Sequence, residues 1–302
     1  MYLITGASGF IGKKIVNALV QEDIPIIIVS REKMPGFKTI ICDLEFETVP
    51  NNIFHNVNTV IHLAGFAHDV KSNHAKAHLH NSINFEATVG LANQASKLGV
   101  KKFVFISSVK ASGAPYPERC MTEKDQCDPR DVYGKSKHKA ELELLKIDSN
   151  SNMGVSILRP ALVYGPNLKG NLFLMMSSIQ KGFFPPLPKV NNRRSMVHVD
   201  DLIRAILLIS REDRANGEIY NVTDGIPYSS RDIYEAMCRI SGKPIPGWSV
   251  PLIFFKILSI TTFGRVDKID KLFESECYSS EKIFSLGFKP QKSIGEMNET
   301  IF

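Results

Sequence analysis

The sequence predicts an α/β fold built on a doubly wound parallel sheet, followed by a smaller mixed α/β region. Short, nearly continuous apolar runs alternate with longer amphipathic segments through the first half of the chain, and such runs are typical of parallel strands that helices cover on both faces. A glycine-rich turn joins the first run directly to the first amphipathic segment. After Pro160, glycines and prolines divide the chain into shorter pieces. These observations predict a Rossmann-type layout with a second, less regular part.

The alternation assigns the elements of the first part in order. Because a helix-like segment follows most strands, right-handed crossovers and helices on both faces of the sheet are expected. The predicted strands, each rich in β-branched or apolar residues, are 2–5, 26–30, 39–42, 59–63, 103–106 and 155–158. The predicted helices between them are 10–21, 75–98 and 131–145.

The second part is predicted to be a smaller substrate-binding region. We place the dinucleotide-binding domain at residues 1–165 and the smaller region at residues 166–302, with some later segments free to return to the first domain. The predicted strands of this part are 196–199 and 219–222, and its predicted helices are 201–210, 231–241 and 279–286.

Charge and apolar content limit the class of partner. The 37 Lys and Arg residues exceed the 31 Asp and Glu residues, and the resulting net charge of +6 is spread along the chain, which suits an anionic small ligand. Interleaved aromatic and basic residues typical of nucleic-acid binding are absent from the sequence, so no nucleic-acid partner is expected. The apolar run 251–263 contains Lys256 and is shorter than the roughly 20 residues of a membrane span. We interpret this run as a packed helix or as a contact between the copies of a homodimer.

The cysteines and the first residues indicate a reducing, cytoplasmic location. Five cysteines, an odd number without C-x-x-C spacing, suggest neither a disulfide framework nor a zinc site. Cys120 and Cys127, in the loop 114–130, are interpreted as incidental rather than catalytic. Met1 is followed at once by a predicted strand without a positively charged segment, so no signal peptide is expected.

A cluster of histidines is interpreted as a polar helix face. His74, His78 and His80 follow His68 closely, and the first two are four residues apart. Because no carboxylate stands at metal-site spacing beside them, no metal is expected.

A glycine-rich loop follows the first strand and opens the first helix. Its spacing is G-x-x-G-x-x-G rather than the common G-x-G-x-x-G. Glycines at such positions allow a tight turn and bring backbone N–H groups close to a pyrophosphate, which the helix N-terminus also attracts. A plain turn is the alternative. The loop predicts a dinucleotide site formed by Gly6, Ser8, Gly9, Phe10, Ile11 and Gly12.

The end of the second strand bears on the choice of cofactor. An acidic residue there usually accepts the ribose hydroxyls of NAD, whereas an Arg accommodates the 2′-phosphate of NADP. The strand ends in Ser30-Arg31, with Glu32 next to it. Arg31 therefore favours NADP over NAD, unless it is only a solvated surface charge.

Three side chains form a candidate catalytic group. Tyr133 and Lys137 stand four residues apart and share one face of a predicted helix. A phenol has a pKa of about 10, so an adjacent ammonium and a cationic nicotinamide are the means by which Tyr133 would act as an acid or base near neutral pH. Ser108 follows the fifth strand, where ligands of doubly wound folds bind, and can hold a substrate oxygen. An ordinary exposed helix face is the alternative for the Tyr133–Lys137 pair alone.

Seven ordered motifs run through nearly the whole chain. They are Ile4-Thr5-Gly6-Ala7-Ser8-Gly9-Phe10-Ile11-Gly12, Asp43-Leu44, His62-Leu63-Ala64-Gly65, Ser107-Ser108, Tyr133-x-x-x-Lys137, Leu158-Arg159-Pro160 with Tyr164-Gly165-Pro166, and Val197-His198-Val199-Asp200-Asp201. In this set and order the chain resembles the extended short-chain dehydrogenase/reductase family, and within it the nucleotide-sugar epimerase/dehydratase branch.

The resemblance implies roles for single residues. Asn84 matches the family's structural asparagine behind the catalytic lysine, and it joins Ser108, Tyr133 and Lys137 in the implied catalytic set. Tyr133 and Lys137 are also implied to contact the cofactor. The further cofactor contacts implied are Asp43 and Leu44 at the adenine, Leu63, Ala64 and Gly65 along the cofactor, and Pro160 beside the nicotinamide.

The resemblance also places a nucleotide-sugar diphosphate, most simply a UDP-linked one, in the second part. Asn171 opens a helix-like segment, and Arg194 precedes the strand 196–199. A helix N-terminus and a guanidinium are both good diphosphate partners, although an N-cap and a surface charge are the alternative interpretations. Ser108 and Lys110 are counted with them as substrate-binding residues.

One departure from the family pattern argues against a dehydratase. Sugar 4,6-dehydratases of the branch carry an Asp-Glu pair directly after the catalytic Ser or Thr, whereas Val109-Lys110 follows Ser108 here. What remains is simple hydride chemistry at one carbinol or ketone. The run Ser107-Ser108-Val109-Lys110 resembles that of the enzymes that make or use 4-keto N-acetylated UDP-hexoses in surface polysaccharide assembly, and Arg31 favours NADPH. The resemblance therefore implies first an NAD(P)H-dependent reductase of a UDP-4-keto-N-acetylhexose. The alternatives are a UDP-hexose or UDP-N-acetylhexosamine 4-epimerase and a non-catalytic NAD(P)-binding scaffold or sensor.

Overall fold

A seven-stranded parallel sheet forms the centre of the computed structural model, which describes residues 1–66, 77–114, 116, 118–167, 170–261 and 272–298. The strand order is β3-β2-β1-β4-β5-β6-β9, and every neighbouring pair is parallel. The strands are β1 Tyr2–Thr5, β2 Ile26–Ser30, β3 Thr39–Ile41, β4 Thr59–His62, β5 Lys102–Ile106, β6 Gly154–Pro160 and β9 Glu218–Val222. The predicted α/β class is confirmed.

Helices cover both faces of this sheet. On one face α1 (Phe10–Gln21) packs beside α6 (Val199–Arg211), and on the other α3 (Thr88–Lys97) packs beside α4 (Val132–Ser149). Neighbouring strand residues such as Leu3 and Ile4 enter opposite cores, because successive side chains of a strand point to opposite faces. Both faces of the sheet are therefore buried under helices, as the unbroken apolar runs predict.

The long helix predicted before β5 is divided. It consists of α2 (Ala77–Asn81), a π-helical turn (Ser82–Ala87) and α3, while residues 75 and 76 lie outside the described residues. A π turn inserts one extra residue into the helical ladder and so changes the direction of the side chains that follow. The turn contains Asn84, which is fully buried.

The smaller region has its own sheet and core. Strands β7 (Leu162–Tyr164), β8 (Arg194–His198) and β10 (Pro227–Tyr228) form it in the order β10-β8-β7. The helices that line its apolar cluster are α5 (Gly170–Gln180), α7 (Ser230–Ile240) and α8 (Leu252–Thr261).

Part of the chain after residue 165 returns to the large sheet. Strand β9 pairs in parallel with β6, from Ser156 opposite Glu218 to Pro160 opposite Val222, and α6 packs against α1. The division at residue 165 stays a prediction. The helix predicted at 279–286 is shorter, and it spans only α9 (Glu281–Ser285).

The run 251–263 contains α8, and its side chains divide between a packed and an exposed side. Phe255 is buried and its ring lies 5.3 Å from that of Phe273, whereas Ile253 and Phe254 are each 58% exposed. A contact between copies through this helix stays a prediction. Within the described ranges, no helix combines the length and the apolar character that a membrane crossing requires.

The expectation that no cysteines pair is wrong for Cys120 and Cys277, which form a disulfide. They are 157 residues apart in sequence, so spacing gave no indication of the pair. The fold brings them together because the Met121 N–H donates to the Cys277 carbonyl and the Ser279 N–H donates to the Met121 carbonyl, each at 2.8 Å. The disulfide thus fastens the loop 114–130 to the segment before α9.

Candidate active site

The glycine loop brings β1, α1 and the segment after β4 into close contact. Gly6 has a φ of +68°, and a Cβ there would lie 2.6 Å from the Ala64 nitrogen and 2.7 Å from the Leu63 carbonyl carbon. A Cβ on Gly12 would lie 2.1 Å from the Gly6 carbonyl oxygen. Since these neighbours are backbone atoms that cannot swing away, only glycine fits at both positions.

This cradle fits the pyrophosphate of a dinucleotide. Helix α1 begins after the N-cap residue Gly9, and no side chain caps it. The first N–H groups of a helix have no intrahelical partner, so those of Phe10, Ile11 and Gly12 suit an anion, which the helix dipole also favours. Ser8 is exposed beside them. The residues present therefore match the group that the loop predicts.

The other predicted cofactor contacts lie at the same edge of the sheet, because parallel strands all end there. Their roles toward the cofactor stay predictions. The positions are Arg31, exposed after β2; Asp43 and Leu44, half-buried after β3; Leu63, Ala64 and Gly65 after β4; and Pro160, buried at the end of β6.

Helix α4 brings the candidate acid/base to the end of β5. The Asp131 side chain caps the helix by accepting a backbone N–H at 2.6 Å. Tyr133, in the first turn, is hydrogen-bonded to the side chain of Ser108. One turn further, the buried Lys137 donates from Nζ to the Ile106 carbonyl oxygen at 3.0 Å. The structure thus brings together the three side chains that the sequence predicts to be catalytic.

Burial controls the charge state of this group. Burial raises the pKa of Tyr133 to about 12, against a lowering by its hydrogen bond to Ser108. Burial also lowers the pKa of Lys137 to about 8, although the Glu141 carboxylate opposes this shift. The chain by itself therefore keeps the Tyr133 phenol protonated at neutral pH. The positive charge of an oxidised nicotinamide is the further element that would favour the phenolate.

Asn84 ties the segment after β4 to helix α4. Its Oδ1 accepts the Phe66 N–H at 2.7 Å, and its Nδ2 donates to the Phe66 carbonyl oxygen at 3.0 Å. The same Nδ2 donates to Ser136 Oγ at 3.1 Å. A Cβ on Gly65 would lie 3.1 Å from Asn84 Oδ1 and 3.2 Å from Lys137 Nζ, so Gly65 contacts both side chains. Asn84 therefore lies in the same site as Lys137, Tyr133 and Ser108.

His80 departs from its predicted place on a polar helix face. It is 7% exposed, and its Nδ1 lies 3.3 Å from Asn84 Nδ2. Its ring centroid lies 6.1 Å from that of Tyr133. It also packs against Phe66, with 5.0 Å between the ring centroids. His78 is exposed as predicted, and His68 and His74 lie outside the described residues. Within the described part of the chain, no group of three or more His, Cys, Asp or Glu side chains is arranged to hold a metal ion.

A charged cluster joins two of the predicted substrate-binding residues. Glu276 forms an ion pair with Lys110 and another with Arg194, whose Nη2 lies 3.0 Å from Glu276 Oε2. Asn171 is exposed in the first turn of α5, on a different element. Glu276 was not predicted from the sequence, because it lies 166 and 82 residues away from its two partners and no local pattern marks it.

Two further residues were missed although signals for them existed. Glu141 follows Lys137 by four residues on the same helix face, and Arg159 stands inside one of the quoted motifs. The structure joins them in an ion pair whose side chains are 0% and 1% exposed. The hydroxyl of Ser107 donates to Glu141 as well.

The matches to known proteins agree with this arrangement. A family model described as the NAD dependent epimerase/dehydratase family matches residues 2–223. A UDP-glucose 4-epimerase of Vibrio cholerae is 31% identical over 302 residues, which cover 97% of this chain and 92% of that protein. An N-acetyl-α-D-glucosaminyl-diphospho-ditrans,octacis-undecaprenol 4-epimerase of Escherichia coli O157:H7 is 25% identical over 302 residues, or 95% of this chain and 89% of that protein.

A solved structure shares the fold over the whole length. The structure of a UDP-glucose 4-epimerase from Thermotoga maritima with UDP-glucose has a TM-score of 0.79 to this chain at 22% identity, over 99% of this chain and 96% of that one. The family match spans most of the chain and includes the glycine cradle and the Tyr133–Lys137 pair. The chain therefore belongs to the NAD dependent epimerase/dehydratase family, the nucleotide-sugar branch of the extended short-chain dehydrogenases/reductases, and is an NAD(P)-dependent enzyme.

Proposed function

We propose that the protein is a 4-epimerase of a UDP-linked hexose or N-acetylhexosamine. The observation that carries the proposal is the hydrogen-bonded Ser108–Tyr133 pair at the carboxyl edge of the sheet, beside Lys137 and above the glycine cradle. The whole-length similarity to a UDP-glucose 4-epimerase supports the choice of reaction. The complete set of Asn84, Ser108, Tyr133 and Lys137 argues against a non-catalytic scaffold.

In this proposal each side chain of the site has its own role. The glycine cradle would hold the nicotinamide dinucleotide, which would supply the hydride acceptor and donor. Tyr133 takes the proton of the C4 hydroxyl when that carbon is oxidised. It returns the proton after the keto-sugar has rotated and hydride has been added to its other face. Ser108 holds the same oxygen through its hydroxyl and orients it toward the phenol. Lys137 adds a buried positive charge beside them, fixed by the Ile106 carbonyl.

The residues after Ser108 support single-carbon chemistry over dehydration. Removal of water across the ring needs a second acid/base pair beside the first. Val109 is 6% exposed and apolar, and Lys110 is held in an ion pair with Glu276. Neither side chain supplies a carboxylic acid.

A cofactor-free incubation tests the epimerase proposal. An epimerase regenerates its cofactor in each cycle, so the purified protein is expected to carry bound NAD and to convert UDP-glucose or UDP-N-acetylglucosamine into its C4 epimer without added dinucleotide. The product is measured by chromatography of the sugar nucleotides. Absence of any epimer with either substrate, together with NAD(P)H consumption on a 4-keto substrate, would overturn the proposal.

The position of Arg31 supports a reductase as the second candidate function. It lies exposed directly after β2, where it can meet the 2′-phosphate of NADP, and net reductions in cells usually use NADPH. The reaction would then be reduction of a UDP-4-keto-N-acetylhexose by the same Tyr133 and Ser108. A place in surface polysaccharide assembly stays a prediction for either reaction.

Substitution Arg31→Ala distinguishes the two cofactors. If Arg31 binds the 2′-phosphate, the variant loses one charge-assisted contact, and NADPH binding is expected to weaken by about 1.5–3 kcal/mol while NADH binding hardly changes. Both dissociation constants are measured by titration for the wild type and the variant. Equal losses for the two cofactors, or a wild type that prefers NADH, contradict the NADP prediction and favour the epimerase.

A further inference from the structure

A third residue shares the catalytic face of helix α4. Tyr133, Lys137 and Glu141 follow one another at intervals of four residues, so their side chains lie one above the other along one face of the helix. Glu141 is 0% exposed and no role in the proposed reaction accounts for it. Its partner Arg159, 1% exposed, comes from strand β6.

The Glu141–Arg159 pair is bidentate. Arg159 Nε donates to Glu141 Oε1 at 2.9 Å, and Arg159 Nη2 donates to Oε2 at 2.6 Å. His138 Nδ1 lies 3.5 Å from the same Oε2. This fork-to-fork geometry fixes the orientation of both side chains as well as the distance between them.

The pair is also bonded to the segments that surround the active site. Glu141 Oε1 accepts a hydrogen bond from the Ser107 hydroxyl. The next residue, Ser108, is hydrogen-bonded to the Tyr133 phenol. Arg159 Nη1 donates to Ser112 Oγ at 2.9 Å, and Nη2 donates to Cys127 Sγ at 3.4 Å. The end of β5, helix α4, strand β6 and the loop 114–130 are therefore joined at one buried point.

Stability alone does not account for a buried ion pair at this point. The desolvation of two charges commonly cancels their attraction, and apolar residues of similar volume are often as stable. We propose that Glu141 and Arg159 are positioning residues of the active site, which hold the strand end carrying Ser107 and Ser108 in register with the helix face carrying Tyr133 and Lys137. The inference rests on the proposed function, because it takes those residues as the reacting group.

The charge of Glu141 gives the pair a second, measurable effect. Burial acts to raise the pKa of Glu141, but the hydrogen bonds from Arg159, His138 and Ser107 outweigh it and hold this pKa below its usual value. The ionised carboxylate in turn acts to raise the pKa of both Tyr133 and Lys137. Several described titratable groups face the phenol or this pair. They are Asp131 at the N-cap of α4, Lys137, His138 and Glu141 of α4, His80 of α2, Arg159 of β6, and Glu123, Cys127 and Tyr278 around Arg159.

The test replaces Glu141 by glutamine, which keeps the size and an acceptor for Ser107 but removes the charge. We expect kcat to fall by about tenfold or more, with KM for the nucleotide sugar changed by less than about threefold, because the reacting groups lose alignment and not the substrate contacts. Removing a negative charge favours the phenolate, so the rise of kcat with pH is expected to move to lower pH by about 0.5 pH units or more. The substitution Glu143→Gln, on the same helix in an exposed pair with Lys146, is the matched control and leaves kcat and its pH profile unchanged.

A double variant separates positioning from stability. Glu141→Gln leaves a buried guanidinium without its carboxylate, which lowers Tm, whereas Glu141→Gln with Arg159→Met removes both charges and is expected to recover much of that Tm. The double variant is expected to keep the low kcat, because the bidentate link between α4 and β6 and the bonds from Arg159 to Ser112 and Cys127 are still lost. Recovery of kcat together with Tm would show that the pair only stabilises the fold.

A second variant tests the inference if Glu141→Gln folds poorly. Ser107→Ala removes only the hydroxyl that joins the strand end to Glu141 and leaves the ion pair intact. We expect a fall in kcat of about threefold to tenfold, with a smaller loss of Tm than in Glu141→Gln because the ion pair remains. Wild-type kcat and an unmoved pH profile in folded Glu141→Gln and Ser107→Ala would overturn the inference. If Tyr133→Phe is inactive in those same assays, only the positioning role of the pair is contradicted and the proposed function stands. If Tyr133→Phe is active, the proposed function itself is contradicted.

Discussion

Replacement of Tyr133 by phenylalanine is expected to lower kcat by about a hundredfold to ten-thousandfold, the range that general acid/base catalysis contributes. Only the phenolic proton is lost, so the dissociation constant of the dinucleotide should stay close to that of the wild type. The fold should also persist, because the ring and its packing against His80 remain. The measurements are single-turnover and steady-state rates with the nucleotide sugar, together with dinucleotide titration.

A tyrosine on the other edge of the sheet is the control for this variant. Tyr2 begins β1, away from the carboxyl ends, and its hydroxyl lies 3.4 Å from Ser210 Oγ. Tyr2→Phe removes the same atom there, and wild-type turnover is expected. If Tyr133→Phe turned over like Tyr2→Phe, Tyr133 would not be the acid/base of the reaction.

Substitution Gly12→Ala is expected to impair both folding and cofactor binding. Its Cβ would lie 2.1 Å from the Gly6 carbonyl oxygen and 2.7 Å from Ala7 Cα. Both are backbone atoms, so α1 must move away from the loop, and overpacking of this kind costs about 3 kcal/mol or more. The helix N-terminus moves with it, and dinucleotide affinity should fall. Urea unfolding and dinucleotide titration measure the two losses.

Helix α3 offers the matched control for this substitution. A Cβ on Gly90 would meet nothing within 4 Å, and alanine is favoured over glycine inside a helix by about 1 kcal/mol. Gly90→Ala should therefore leave cofactor binding unchanged and increase stability slightly. Equal unfolding free energies and equal dinucleotide affinities for Gly12→Ala and wild type would show that the cradle tolerates a side chain.

Several features of the site could be predicted because they depend on residues close together in the chain. The loop from Gly6 to Gly12 lies between one strand and one helix, and its glycines are required by contacts with the backbone around it. The Tyr133–Lys137 pair follows from helical periodicity alone. The order of strands and helices follows from apolar periodicity, and the described sheet agrees with it.

Packing sets the environment of other side chains in ways that the sequence does not show. His80 was interpreted as part of a polar helix face, but it packs inward between Asn84 and Phe66. Burial, which the sequence does not show, raises the pKa of Tyr133 to about 12, and the activation of Tyr133 by Lys137 together with a cationic nicotinamide stays a prediction. Desolvation depends on every neighbour of a group and not on its neighbours in sequence.

The sequence by itself determined the α/β class, the glycine cradle, the Ser108–Tyr133–Lys137 group and the family, because apolar periodicity and short motifs encode local geometry. Only the tertiary structure decided which distant residues meet. The Cys120–Cys277 disulfide, the ion pairs of Glu276 and the Glu141–Arg159 pair all join segments between 18 and 166 residues apart. Such pairs form because the crossovers of a parallel sheet bring its strand ends to one edge, and no local pattern specifies which side chains then face each other.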